Sequence, residues 1–220
     1  MGWIRDCGSL VAYIDEIGFL PLLRMGVEGW SAEEVVDEDC QYTPLPGGGW
    51  EWLLWEWKGT VIRESGCGYG KFFMGKAGFV SRDWVPDFLN WRRYQHPYPD
   101  QGTVEEAILF ILKGKGSMIT RDLRAACGFT GAKMRSQFDG YITKLEMGCH
   151  IVTEDFVYPH DKHGNKYGWG WSLLTTPERL LGHAACHTDR SPEESRERLL
   201  AHFRKILPDA SERMILRLLG

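Results

Sequence analysis

Apolar residues recur at helical spacing at Leu10, Val11, Ile14 and Ile17, and Gly18 is placed to end that helix. Phe19 to Leu23, interrupted by Pro21, reads as an apolar plug packing back on it. Residues 26–49 lose the pattern: they are acidic and run through Pro44 and Pro46 into three glycines, which predicts a loop or flap. Residues 57–63 read as a strand, and 69–74 with 77–80 as a hairpin turning at Gly75-Lys76. Pro86 and Asp87 then open a helix, the proline through its fixed φ and the carboxylate at the positive end of the dipole. Phe88 and Trp91 face inward on it.

Pro97, Pro99, Asp100 and Gly102 break the pattern and mark a domain boundary. Beyond it, Val104, Ala107, Ile108, Ile111 and Leu112 fit one helix face, closed by Gly114-Lys115-Gly116. Residues 117–119 form a short extended piece, and Thr120 is placed to cap a second helix over 121–126. A third helix carries Met134, Phe138, Ile142 and Leu145 inward, and residues 151–158 and 167–174 pair as strands around a polar tip. Helix, strand, helix, turn, helix and two-stranded wing is the winged version of helix-turn-helix, although other mixed topologies share the pattern. Ser191-Pro192-Glu193-Glu194 starts a tail helix with an N-cap serine, a proline at the first position and a glutamate at the third. Leu199, Leu200, Phe203, Ile206 and Leu207 line its inner face, and Met214, Ile215, Leu218 and Leu219 suggest a second short helix. The expected fold is α+β: an aromatic-rich N-terminal lobe with a small antiparallel sheet (1–101), a winged helix-turn-helix domain (102–182) and a C-terminal helical pair (183–220).

Composition narrows the class without naming a reaction. The chain of 220 residues is 43% hydrophobic and 25% charged, ordinary for a soluble globular protein. No apolar run approaches the ~20 residues of a membrane span, and the N-terminus lacks a secretory signal, so the expected location is cytoplasmic. Six cysteines without a CxxC pair read as free thiols. The net charge of −4 is unevenly spread: residues 1–101 carry 9 basic against 15 acidic side chains, and residues 102–220 carry 17 against 15.

Six of the ten tryptophans fall between Trp50 and Trp91, interleaved with Glu51, Glu56, Lys58, Arg63 and Lys71. A core excludes such charges and a surface excludes such rings, so the mixture predicts an aromatic-walled cavity with inward polar groups. Its expected lining is Trp55, Trp57, Lys58, Arg63, Tyr69 and Lys71, with Glu56 and Lys58 on one strand face. The bland reading is an aromatic core whose charges alternate to solvent, with Glu56–Lys58 and Lys71–Asp87 as structural ion pairs. On the third helix the outward set is Lys133, Ser136, Gln137, Gly140 and Lys144: lysines for phosphate, a glutamine able to bond an adenine edge, a glycine for close approach. Lys162, His163, Asn165 and Lys166 at the wing tip can reach a neighbouring phosphate. A solvated helix face and a polar turn are the alternative. His183 and His187 stand four apart beside Cys186 but lack further ligands, so no metal is assigned.

Three segments carry a resemblance: WEWKGTVIRESGCGYGKFFMGKAGFVSRDWVPDFLNWRR, YGWGWSLLTTPE and SPEESRERLLAHFRKILPDAS. Together they resemble the bacterial AlkZ-related family, named for similarity to AlkZ, a winged-helix DNA glycosylase that removes alkylated bases. The resemblance implies a double-stranded DNA partner and, less directly, hydrolysis of an N-glycosidic bond without a cofactor. The glycosylase pattern of glutamine, apolar residue, then glutamine or aspartate finds its letters in Gln137-Phe138-Asp139. That triplet lies inside the expected third helix with Phe138 needed for the core, so the role is not carried over. A carboxylate of the aromatic lobe, Glu56 or Asp87, is the expected catalytic group if the chain is a monofunctional glycosylase. The alternative is a non-enzymatic winged-helix regulator or adaptor whose aromatic lobe binds a small ligand or a protein.

Overall fold

A computed structural model describes residues 4–45, 48–164 and 166–220. Asp6 fixes the first helix: its carboxylate accepts the Ser9 N–H at 2.7 Å while Ser9 Oγ accepts the Asp6 N–H at 3.1 Å. Helix α1 (Cys7–Ile17) ends at Gly18, whose φ of 81° a side chain would strain. The stretch expected to be a plug is instead a strand, β1 (Phe19–Pro21), because Phe19, Leu20 and Pro21 pair with Val80, Phe79 and Gly78. Its edge position tolerates the proline.

The expected loop over 26–49 also holds structure: α2 (Ala32–Val35), and β2 (Tyr42–Pro44) paired with β3 (Trp50–Trp52). Pro46 and Gly47, part of that expectation, lie outside the described residues.

The strand expected over 57–63 is a helix, α3 (Leu53–Ser65), closed by Gly66 in the left-handed conformation. The W-E-W alternation suggested period two, but Leu54, Lys58, Val61 and Ile62 are buried at helical spacing. The hairpin expectation holds with small shifts: β4 (Gly68–Phe73) pairs with β5 (Lys76–Val80), giving the sheet order β1-β5-β4. Gly78 permits it, since a Cβ there would stand 2.6 Å from the Leu20 carbonyl oxygen. Helix α4 (Val85–Gln95) follows, with Phe88 and Trp91 buried as expected.

Thr103 caps α5 (Val104–Lys115) by accepting the Glu106 N–H at 3.2 Å. Then come β6 (Met118–Ile119), α6 (Thr120–Ala126), α7 (Arg135–Met147), β7 (Val152–Val157) and β8 (Trp171–Thr175), the strands ordered β6-β8-β7. Ile108, Leu112, Leu123, Phe138, Ile142 and Leu174 fill one core between these elements. Three details differ from expectation. Leu109 is buried where Ala107 is exposed, and Met134 is exposed because it precedes α7 instead of riding its inner face. The Thr120 hydroxyl does not cap α6; it donates to the Ser172 carbonyl at 3.0 Å, tying β6 to β8.

Helix α8 (Pro177–Leu181) leads to the tail, α9 (Pro192–Ile206) and α10 (Glu212–Leu219). The capping box expected at Ser191 and Glu194 forms. Leu199, Phe203, Ile215 and Leu218 join Phe19, Trp30, Phe72 and Phe88 in a second core, so the tail helices pack with elements from the first hundred residues. The buried Arg92 locks this arrangement, donating to the carbonyls of Phe72 at 2.7 Å and Leu218 at 2.8 Å. The fold is α+β, and its named strands all pair antiparallel. Among the described residues, no helix is long and apolar enough to cross a membrane.

Candidate functional site

Helix α3 and the β7–β8 hairpin meet face to face. Gly59 lets them approach, because a Cβ there would stand 2.7 Å from Asp155 Oδ1. One turn on, Arg63 pairs with that same Asp155 oxygen at 2.5 Å. On a helix, residues two apart point ~200° apart, so Glu56 and Lys58 do not share a face. Glu56 turns toward the hairpin loop, where Lys166 donates to its carboxylate and stands 3.7 Å from Glu51 as well. Burial, then the Glu56 charge and a hydrogen bond to that carboxylate, push the Tyr158 phenol well above its ordinary range. Trp55 stacks on Trp52 with centroids 6.0 Å apart and meets Trp169 edge-on at 5.1 Å.

Lys58 is fully buried under the same hairpin. Its Nζ lies 2.8 Å from the Trp55 ring centroid and 4.0 Å from that of Phe156. Among the described residues neither this amine nor Trp55 Nε1 has a hydrogen-bond partner. Burial drives the Lys58 pKa down to about 6, against a smaller upward pull from Glu56, so the amine is mostly neutral at pH 7.

Of the six residues expected to line a cavity, Trp55, Lys58, Arg63 and Tyr69 do converge where α3, β4 and β7 meet. They leave no open cavity of aromatic walls: Arg63 is exposed on its pair with Asp155, Trp55 is half-buried, and Tyr69 is buried with its ring 4.8 Å from Phe79 and 5.8 Å from Phe156. Trp57 is half-buried against the core of Leu10, Ile14 and Leu54. Lys71 faces α7, donating to Thr143 Oγ1 at 2.9 Å and lying 3.9 Å from Glu146. Burial raises the Glu146 carboxyl to about 7. Asp87 does not pair with Lys71. Buried at the start of α4, it accepts from Ser195 Oγ at 2.8 Å, Arg198 Nε at 3.0 Å and Arg190 Nη1 at 3.5 Å, joining α4 to α9.

The expected nucleic-acid residues fall into three settings. Lys133, Ser136 and Gln137 are exposed together at the start of α7, and a Cβ on Gly140 would meet open space. Lys144, on the last turn, is exposed but paired with Glu105 at 2.6 Å. Lys162 and His163 are exposed in the hairpin loop, Lys166 is held by Glu56, and Asn165 lies outside the described residues. Phe138 is fully buried, so Gln137 and Asp139 flank a core side chain. His183 precedes a 3-10 turn at Ala184–Cys186, which removes the α-helical face its pairing with His187 needed. No metal-holding cluster of three or more such side chains occurs among the described residues.

Sequence reasoning missed Tyr158 and Trp169, which complete the junction, and also a cleft of 660 Å³ lined by Tyr98, Lys113 and Arg179. The glycines flanking Trp169 in a polar loop were the available signal: an exposed ring there needs a partner. The cleft left none, since its walls come from α4, α5 and α8, far apart in the chain. No curated protein and no solved structure matches this chain. A family model described as AlkZ related matches residues 4–220, and the chain belongs to that family.

Proposed function

We propose that this chain binds double-stranded DNA as a winged-helix module, with α7 as the recognition helix and the β7–β8 hairpin as the wing. The observation that carries the reading is the exposed set Lys133, Ser136, Gln137 and Gly140 on α7. It accompanies an element order, α5-β6-α6-α7-β7-β8 with strands ordered β6-β8-β7, that matches the winged helix. Family membership points the same way through its relation to glycosylases. Lys133 contacts phosphate, Gln137 reads a base edge, and Lys162 and His163 reach the flanking backbone. Duplex binding measured across salt concentrations tests this. Lys133→Gln lowers the slope of log affinity against log salt by about 1. Absence of binding at low salt refutes the reading.

A second reading, hydrolysis of the N-glycosidic bond of a damaged base, is favoured by Glu56, the carboxylate set among tryptophans between α3 and the wing. Freed from Lys166, it orients water or stabilises the cationic sugar. Release of a methylated purine from duplex DNA, lost in Glu56→Gln with binding unchanged, supports this reading. Tight binding without base release assigns the chain to a regulator or adaptor instead.

A further inference from the structure

The cleft of 660 Å³ between α5, α8 and the end of α4 belongs to neither reading. Its charged lining is Arg93, Lys113, Arg179 and Glu178, together with His150 and His183. Glu178 is committed to Arg93 at 2.5 Å, and Arg93 also donates to the Cys149 carbonyl at 3.2 and 3.0 Å. That pair is closed on itself. Lys113 and Arg179 are the surplus, and among the described residues neither has a carboxylate partner. Among the described residues Lys113 meets a neutral neighbour, the Tyr98 hydroxyl at 3.2 Å, with its amine 4.4 Å from that ring's centroid. The Arg179 guanidinium lies against Gly116, where a Cβ would stand 2.8 Å from its Cζ, so the glycine makes room for it.

The remaining lining is Tyr98, Leu109, Leu112 and Thr176. Leu109 and Leu112 form one wall, and the Tyr98 ring stands edge-on to His150 with centroids 5.9 Å apart. His150 is buried, with a ring nitrogen 2.8 Å from the His96 carbonyl oxygen, and burial lowers its pKa, so it adds surface more than charge. Two unpaired cations beside an aromatic shelf, in a cavity of ligand size, suit an anion carried on a flat ring.

We propose that this cleft binds a nucleotide phosphate, the dianion between Lys113 and Arg179 and the base against Tyr98 and the leucine wall. Free nucleoside monophosphates and the 5′-phosphorylated end of a DNA strand share this chemistry, and the site uses none of the α7 residues assigned to duplex binding. Calorimetric titration of the full chain at low ionic strength with 2′-deoxyadenosine 5′-monophosphate, deoxyadenosine and inorganic phosphate tests it. The monophosphate binds at least about tenfold more tightly than the nucleoside, and Lys113→Gln and Arg179→Gln each weaken it about tenfold. Arg213→Gln, on an exposed position of α10 outside the cleft, leaves binding unchanged. Matched duplexes with and without 5′-phosphates separate the sources. Preference for phosphorylated ends, lost in the same variants, assigns the cleft to a strand terminus, and response to the monophosphate alone assigns it to a soluble nucleotide. No response to any phosphate probe, or binding that survives the Lys113→Gln/Arg179→Gln double substitution, overturns the proposal. Duplex binding indifferent to end phosphates, with no response to the monophosphate, overturns the cleft and leaves the α7 reading intact.

Discussion

Replacing Lys58 with methionine stabilises this protein, and the gain depends on pH in a defined direction. The side chain is fully buried, its amine has no hydrogen-bond partner among the described residues, and burial lowers its pKa from 10.5 to about 6. In the unfolded chain the amine is charged and hydrated at pH 7, so folding must strip its proton. One pKa unit is worth ~1.4 kcal/mol, which puts the cost of that deprotonation at roughly 5 kcal/mol at pH 7. At pH 7 the folded amine is neutral, so the Trp55 and Phe156 rings have no positive charge to attract and recover none of that cost.

Methionine keeps an unbranched stem of similar volume against the same rings and removes the deprotonation. The sign follows from proton counting. Between pH 6 and 10.5 the unfolded state binds one more proton than the folded state at this group, so parent stability rises with pH across that window. The advantage of Lys58→Met is full below about pH 6 and shrinks by ~1.4 kcal/mol per pH unit above it. Urea denaturation of parent and variant near pH 6, 7 and 9 measures this, and at pH 7 the variant melts roughly 10–20 °C higher. A variant less stable than the parent at pH 7, or an advantage equal near pH 6 and pH 9, refutes the assignment of a buried neutral amine.

Two further substitutions probe the buried carboxylates. Glu146, raised from 4.5 to about 7 by burial, holds its proton more tightly folded than unfolded, so stability falls as pH rises through that window. Glu146→Gln removes this loss and is the more stable form by roughly 1–3 kcal/mol at pH 8, with little difference near pH 4.5; an advantage equal at both pH values in denaturation curves contradicts it. Asp87→Ala strips three donors of their common acceptor and costs about 3 kcal/mol, with Asp87→Asn recovering part of it. Limited proteolysis detects the loosened tail, and a variant as protease-resistant as the parent rules out the anchoring role.

Local codes were legible at several points along the chain, although the cap expected of Thr120 was overruled by Ser172. Gly18 ended α1, Ser191-Pro192-Glu193-Glu194 started α9, and the inward residues Phe138, Ile142 and Leu145 gave α7 its correct face. Each depends on neighbours within a turn or two, and at these points no distant residue overruled it. The tryptophan block was misread because two periods competed there. Glutamates between tryptophans imitate a strand, and only packing against α1 and β7 shows that Lys58 belongs with Leu54, Val61 and Ile62 on a buried helix face. A sequence rule places lysine outside. Here the hairpin that seals it comes from nearly a hundred residues away, through Phe156.

What the sequence determined by itself was most of the elements in the C-terminal half, α8 excepted, the outward residues at the start of α7, and a family signature spread over most of the chain. What only tertiary structure decided was which charges meet. Glu56 finds Lys166, Lys71 finds Glu146, and Asp87 finds Ser195 and two arginines of the tail, every partner lying 75 or more positions away. Charge pairing is a property of distance in space, and chain separation carries no information about it once loops and helices return distant segments to the same face. The cleft of Lys113 and Arg179 shows the same limit: its surplus charge exists only because Glu178 is already taken by Arg93.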